Sequence, residues 1–230
     1  MPRKKLIFAW SGGKDSAMAL YTLKKGGDCE VAALLNTVNA DYDRSCMHGI
    51  RRPLIEEQSL RMGLPLEKVY LGRDSSNEEY EAGMAEVLGR HKKNGVLYAA
   101  FGDIFLEDLK IYREKNLAGI GMKGLFPVWK KDSVWLANEF IALGFKAFIT
   151  CVDSKALGGA FCGRQFDGKF LSDLPEGVDP CGENGEFHTF VYDGPLFSSA
   201  IDCKKGEVVL RDGRYYFCDI VPAVSCPWLY

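Results

Sequence analysis

The chain has 230 residues, with 29 Lys+Arg against 31 Asp+Glu for a net charge of −2, and it is 47 % hydrophobic and 26 % charged. This balance excludes wholesale disorder and a strongly basic nucleic-acid binder, and the length suffices for one large domain or two small ones with a proper core. Its 25 glycines exceed the roughly 7 % average, which points to tight turns or close backbone approach to a ligand, since each glycine costs backbone entropy.

Lys5-Leu6-Ile7-Phe8-Ala9-Trp10 predicts a buried strand that runs into Ser11-Gly12-Gly13-Lys14-Asp15-Ser16. Ala17, Leu20, Tyr21, Leu23 and Lys24 then predict a helix stopped by Gly26-Gly27, and Val31 to Leu35 a second buried strand. A helix is expected from Pro53 to Met62, with proline in its first turn and Gly63 at its end. Val69 to Leu71 is a brief strand, and Ser76-Asn77-Glu78-Glu79 is a capping box opening a helix to about Lys93. Val96 to Phe101 is the fourth strand, with a helix from Phe105 to Lys115 after it. Strands alternating with helices of this length build βαβ units, hence a Rossmann-like α/β parallel sheet with helices on both faces.

Beyond about residue 118 the texture changes. Asp132 caps a predicted helix from Val134 to Leu143, Lys146 to Val152 is a strand, and the stretch to Gly194 is dense in glycine and turns. Glu207 to Arg211, an Asp212-Gly213 type I′ turn and Arg214 to Val221 form a closing hairpin. The second half is therefore expected to be a smaller α+β domain, dividing the chain into 1–120 and 121–230 with the boundary near Gly119 to Gly124.

Eight cysteines (29, 46, 151, 162, 181, 203, 218 and 226) are scattered with no C-x-x-C pair, and only five apolar residues follow Arg3-Lys4-Lys5. That is short of a signal-peptide core or a membrane span, so a cytoplasmic setting with reduced thiols is expected. Cys46-Met47-His48 and Cys181 with His188 lack the close pairing of structural zinc sites. Residues 39–50 read instead as a mobile substrate loop, and Trp10, Trp129 and Trp135 as core or pocket-wall residues.

The six-residue string between the first strand and helix is an anion cradle. Two glycines let the backbone approach an oxyanion, and the following N–H groups lie at the positive end of the helix dipole. Ser11 and Ser16 add hydroxyls and Lys14 a charge, while Asp15 fits a phosphate site either by orienting a donor or by helping to hold Mg²⁺ jointly with phosphates. The spacing is neither Walker A nor G-x-G-x-x-G.

Ser11-Gly12-Gly13-Lys14-Asp15-Ser16 resembles the pyrophosphate loop of the N-type ATP pyrophosphatases, whose adenine nucleotide alpha hydrolase-like members include diphthine–ammonia ligase. Asp179-Pro180-Cys181-Gly182-Glu183-Asn184-Gly185-Glu186-Phe187-His188-Thr189 resembles the Gly-Glu-x-Gly-Glu-Phe/Tyr-x-Thr signature of those ligases. Phe101-Gly102-Asp103-Ile104 with Glu107-Asp108, and Phe126-Pro127-Val128-Trp129, lie between them, so the resemblance spans roughly residues 5–197. One departure stands out: the diphthamide-forming ligases carry an acidic residue where this chain has His188.

The resemblance implies an ATP- and Mg²⁺-dependent amide ligase. A carboxylate attacks the α-phosphorus with loss of pyrophosphate, and ammonia then displaces AMP. It implies ATP binding in 1–120 by Ser11, Gly12, Gly13, Lys14, Asp15, Ser16, Asn36, Thr37, Gly102 and Asp103. Substrate binding in 121–230 would involve Glu183, Asn184, Glu186 and Thr189, with His48 added from the first half. Lys14, Asp15, Glu186 and His188 would be catalytic, the last two taking the proton from ammonia, and Asp15 would hold Mg²⁺. Each residue has a plainer reading beside this one: Glu183 and Glu186 as solvated loop carboxylates, Asp103 as a helix N-cap, Asn36 as a turn residue. The carboxylate would be diphthine, a modified histidine on an elongation factor, in an archaeal or eukaryotic source, and relatives suggest a homodimer. The alternatives are α–β cleavage of ATP for another acceptor, a small metabolite or tRNA base, with Cys181 the one motif cysteine available for sulfur transfer, or an adenine-nucleotide sensor without turnover.

Overall fold

A computed structural model describes residues 3–223; Cys226 lies outside them. The first sheet collects β1 (Lys4–Ala9), β2 (Cys29–Asn39), β3 (Arg44–Ser45), β4 (Leu66–Leu71), β5 (Tyr98–Ala100) and β6 (Lys123–Leu125). Its parallel strands run in the order β4-β2-β1-β5-β6, the doubly wound arrangement expected from the βαβ pattern. The helices are α1 (Lys14–Gly26), α2 (Arg52–Met62), α3 (Asn77–Lys93) and α4 (Glu107–Gly119). Strand order reverses direction between β1 and β5, and such switch points open a crevice at the strands' carboxyl ends where ligands bind. Ser11 to Gly13 leave the end of β1 there, and Phe101 to Asp103 leave the end of β5.

The local signals act as expected. The Ser76 hydroxyl accepts from Glu79 N while the Glu79 carboxylate accepts from Ser76 N, closing the capping box. Asp132 Oδ1 accepts from Trp135 N at 2.7 Å to start α5 (Ser133–Ala142). Asp212 and Gly213 both have positive φ, 51° and 63°, as a type I′ hairpin turn requires.

The second sheet is antiparallel, in the order β8 (Phe187–Asp193), β7 (Lys146–Asp153), β10 (Tyr215–Pro222), β9 (Cys203–Arg211). A short helix α6 (Gly168–Ser172) packs beside it through Phe170. Side chains alternate across β1. Ile7 enters a core under α3 and α4, while Leu6, Phe8 and Trp10 enter a core that continues without a break into Phe166, Phe187 and Phe190 of the second half. That shared apolar volume sets β8 against the start of α1.

Three expectations change. Trp135 is half exposed rather than a core or wall residue. Its α5 buries Leu136, Ala137 and Phe140 instead. The helix after β5 begins at Glu107, behind Leu106 as an N-cap without a side-chain bond, so Asp103 is not its cap. Residues 39–50 form a folded return rather than an open loop. Val38 and Asn39 pair with β4 on one side and with β3 on the other. β3 therefore lies beyond the end of β1, over the switch point. Arg44 and Arg51 both bond Asp219 of β10, at 2.9 Å and 2.6 Å, which ties this return to the second sheet.

Candidate active site

The glycines of the loop exist for close approach. Gly12 has φ +84°, and a Cβ there would lie 2.6 Å from Ile55 Cδ1. A Cβ on Gly102 would stand 2.8 Å from Ser16 N and 2.9 Å from the Asp15 carbonyl carbon. The bare Cα of Gly102 is what lets the chain beyond β5 pack this close to the helix's first amides, in a space too narrow for a side chain. The amides of Asp15 and Ser16 have no carbonyl one turn back to meet, which makes them donors for an anion. Ser11 Oγ and Ser16 Oγ are 3.1 Å apart at the same end, and Ser16 Oγ donates to Gly13 O at 2.8 Å. Asp15 Oδ1 is buried without a protein partner.

Lys14 does not reach toward that space. Its side chain is buried, only 2 % of the residue being exposed. Its Nζ donates to Asp15 Oδ2 at 2.8 Å and to the Cys181 carbonyl, over the Phe187 ring at 5.1 Å. Burial works against the ammonium, but the Asp15 carboxylate outweighs it with Glu183 adding, so Lys14 stays a cation with a raised pKa. Burial pushes the Asp15 carboxyl up, with Lys14 opposing.

The C-terminal signature closes on this loop. Thr189 Oγ1 accepts from Lys14 N at 3.0 Å, and Val191 N donates to Gly12 O at 2.9 Å. Gln58, fully buried in α2, completes the joint: its Oε1 accepts from Trp10 Nε1, and its Nε2 donates to both Gly12 O and Val191 O. Glu183 reaches across the switch point, where its Oε1 accepts from Ile104 N at 2.8 Å and Phe105 N at 3.3 Å. Glu186 is braced inside its own turn, Oε1 accepting from Asp179 N and Asn184 Nδ2 while Oε2 is buried without a partner. Asp179, which sequence reasoning did not single out, organises the turn by accepting from Cys181 N and Glu183 N.

The His48 and His188 rings pack at a 39° tilt, with centroids 4.6 Å apart. His48 Nδ1 lies 3.0 Å from Thr189 O, and its ring fills the place a Gly13 Cβ would need. Burial lowers the pKa of both, His48 to about 4 and His188 well below the usual value, with Lys14 adding to each. Asn36 is buried, Nδ2 donating to Trp10 O and Ser45 Oγ while Oδ1 has no partner. Thr37 contributes its carbonyl to Cys46 N. Asp103 pairs with Arg113, whose guanidinium also lies over the Phe101 ring. Cys181 keeps its proton: burial raises its pKa, and Sγ donates to Ser133 O. A sulfur carrier needs a thiolate.

Comparison with known proteins follows the same two halves. Residues 4–124 match the model of the diphthamide synthase N-terminal domain, and residues 132–224 that of the C-terminal domain. The chain belongs to the diphthamide synthase family. A diphthine–ammonia ligase of Danio rerio is 27 % identical over 226 residues, 87 % of either chain. That of Homo sapiens is 27 % identical, covering 87 % of this chain and 83 % of its own. The Schizosaccharomyces pombe ligase is 28 % identical, and this chain spans 37 % of its length. Among solved structures, a U34-tRNA thiolase from Methanococcus maripaludis aligns at a TM-score of 0.37 and 18 % identity, over 62 % of this chain and 58 % of that one.

In this member of the diphthamide synthase family, no helix of the described residues is long and apolar enough to cross a membrane. Among the same residues, no three His, Cys, Asp or Glu gather to hold a metal by themselves. Gln58 was legible only as a polar residue on an otherwise apolar helix face, between Ile55 and Met62. Arg113 carried no local signal.

Burial pushes Glu183 up to about 7 and nearby Asp15 adds to it, against the Ile104 and Phe105 amides and Lys14. The folded state then binds more protons than the unfolded one between about pH 4.5 and 7, so stability falls as pH rises through that window. Glu183→Gln keeps an oxygen for both amides and is expected to flatten this slope. Thermal melts of both proteins from acid to neutral pH check it. An unchanged slope in the variant would place its origin elsewhere.

Proposed function

We propose that the protein is an ATP-dependent, AMP-forming amide ligase that joins ammonia to a carboxylate, with the diphthine of an elongation factor as acceptor. The observation that carries this reading is the meeting of two distant motifs at one switch point. Thr189 takes the Lys14 amide, and Glu183 caps the backbone beyond β5. Family membership and the named activity of the relatives support the same chemistry.

The residues fit a pyrophosphate and a phosphate-bound Mg²⁺. Asp15 and Ser16 amides and the Ser11 and Ser16 hydroxyls suit phosphate oxygens. Asp15 Oδ1, buried and unpartnered, would hold Mg²⁺, which normally takes one or two carboxylates with phosphates and offsets developing charge on the leaving group when bound. Lys14 is assigned a positioning role, orienting Asp15 and the Cys181 carbonyl while its fixed charge favours the anion nearby. Asn36 Oδ1 offers an acceptor to adenine. Glu186 and Asn184 hold the signature turn in shape, Glu183 faces the reacting centre, and Asp103 with Arg113 forms one wall.

Incubation with ATP, Mg²⁺, ammonium and diphthine-bearing elongation factor is expected to yield the amide, AMP and pyrophosphate in equal amounts. ADP and phosphate as products, or intact ATP, would overturn the reading.

A further inference from the structure

The chain has three histidines. His91 pairs with Glu67 beside α3, Nε2 to Oε1 at 3.0 Å. The other two, 140 positions apart in the sequence, pack ring against ring at a tilt beside the pyrophosphate loop. A carbonyl oxygen only accepts, so the bond between His48 Nδ1 and Thr189 O puts the ring proton on Nδ1 and leaves Nε2 with a free lone pair. Neither ring has a carboxylate partner among the described residues. The titratable groups about them are Lys14 from α1, itself paired with Asp15, and Cys151, the partner of His188 across β7. Burial holds the Cys151 thiol protonated, its pKa pushed up to about 12. The pair is thus a neutral, acceptor-bearing patch beside a fixed cation, poor for ammonium and suited to an uncharged N–H donor.

Building on the ligase reading, we propose that His48 and His188 form the ammonia site, which admits neutral ammonia and excludes ammonium. Ammonia donates a hydrogen bond to His48 Nε2, and its nitrogen lone pair attacks the acyl carbon of the activated carboxylate. The C–N bond forms, the C–O bond to the phosphate breaks, and AMP leaves with the electron pair. The proton lost from nitrogen passes to His48 Nε2 as the departing AMP brings a second negative charge beside the ring, and then to solvent. His188 packs against His48 and keeps the patch neutral.

The test compares ammonia with hydroxylamine as nucleophile on diphthine-bearing elongation factor. Hydroxylamine is neutral near pH 7, and its attached nitrogen sheds a proton without a base. His48→Asn keeps a donor toward Thr189 O and removes Nε2. It is expected to lower the ammonia-to-hydroxylamine rate ratio about a hundredfold, the scale of a lost general base. His188→Glu, which brings a charge to the patch, is expected to raise the apparent KM for ammonia with little change in that for hydroxylamine. An unchanged ratio in His48→Asn, whether both rates fall together or neither falls, would overturn the proposal and leave the ligase reading intact. Wild-type protein forming neither amide nor hydroxamate would overturn both.

Discussion

Gly102→Ala is expected to cost about 3 kcal/mol of stability, the scale of overpacking a close-packed site, and to abolish AMP formation in whatever protein folds. The methyl would meet Ser16 N at 2.8 Å, Asp15 C at 2.9 Å and Asp15 O at 3.0 Å. All three are backbone atoms of the first helical turn, so no side chain can swing aside. The same methyl would fill the space that the Asp15 and Ser16 amides face. Gly89 supplies the control: it lies inside α3, where an added methyl would meet nothing within 4 Å, and alanine there is expected to add about 0.5–1 kcal/mol. Urea melts of the two variants, with ATP turnover alongside, check the pair. Equal stability in both would mean that β5 and α1 do not approach as closely as the geometry requires.

Asp15→Asn is expected to be the most damaging single change at the loop. It leaves the Lys14 ammonium, its side chain 3 % exposed, without the carboxylate 2.8 Å away. Removing one member of a buried ion pair costs about 3–5 kcal/mol. Lys14→Met is expected to cost less, because the Asp15 side chain is 25 % exposed and a thioether suits the space among Phe166, Phe187 and Cys181. Combining the two should restore most of the stability, since a buried pair is often replaceable by apolar groups. Turnover should stay lost in the double variant, because the Asp15 carboxylate that would hold Mg²⁺ is gone. A double-mutant cycle by chemical denaturation reads the coupling. Additive losses would show that the two charges do not depend on each other.

Much of the fold was legible because its signals are local. The apolar run along Lys5 to Trp10, the Ser76–Glu79 capping box and the Asp212-Gly213 turn each name an element through chemistry within a few residues. β3 and β6 were not legible, because two- and three-residue strands carry no period; only their neighbours in the sheet make them strands. β8 was hidden for another reason. Phe187 to Asp193 follows a glycine-rich turn and read as part of it, although Phe187, Thr189, Phe190 and Val191 are all buried. At the site, the two motifs pointed to residues that do gather around one loop, but not to where each side chain turns. Lys14 read as a phosphate ligand, and it faces the second half instead, because Thr189 and Val191 dock on the loop's other side. Gln58, Asp179 and Arg113 act only through partners brought near by the fold. The Asp103 assignment turned on Arg113, ten residues on and one helix away, a pairing that no short motif records.

In the proposed reaction one carboxylate oxygen attacks phosphorus at the loop of Ser11 to Ser16. Its most direct test uses acceptor carboxylate labelled with heavy oxygen, incubated with ATP, Mg²⁺ and ammonium, followed by mass analysis of the nucleotide. AMP carrying one labelled oxygen for each amide formed, with unlabelled pyrophosphate, is the expected result. Unlabelled AMP, or label appearing in inorganic phosphate beside ADP, would contradict it.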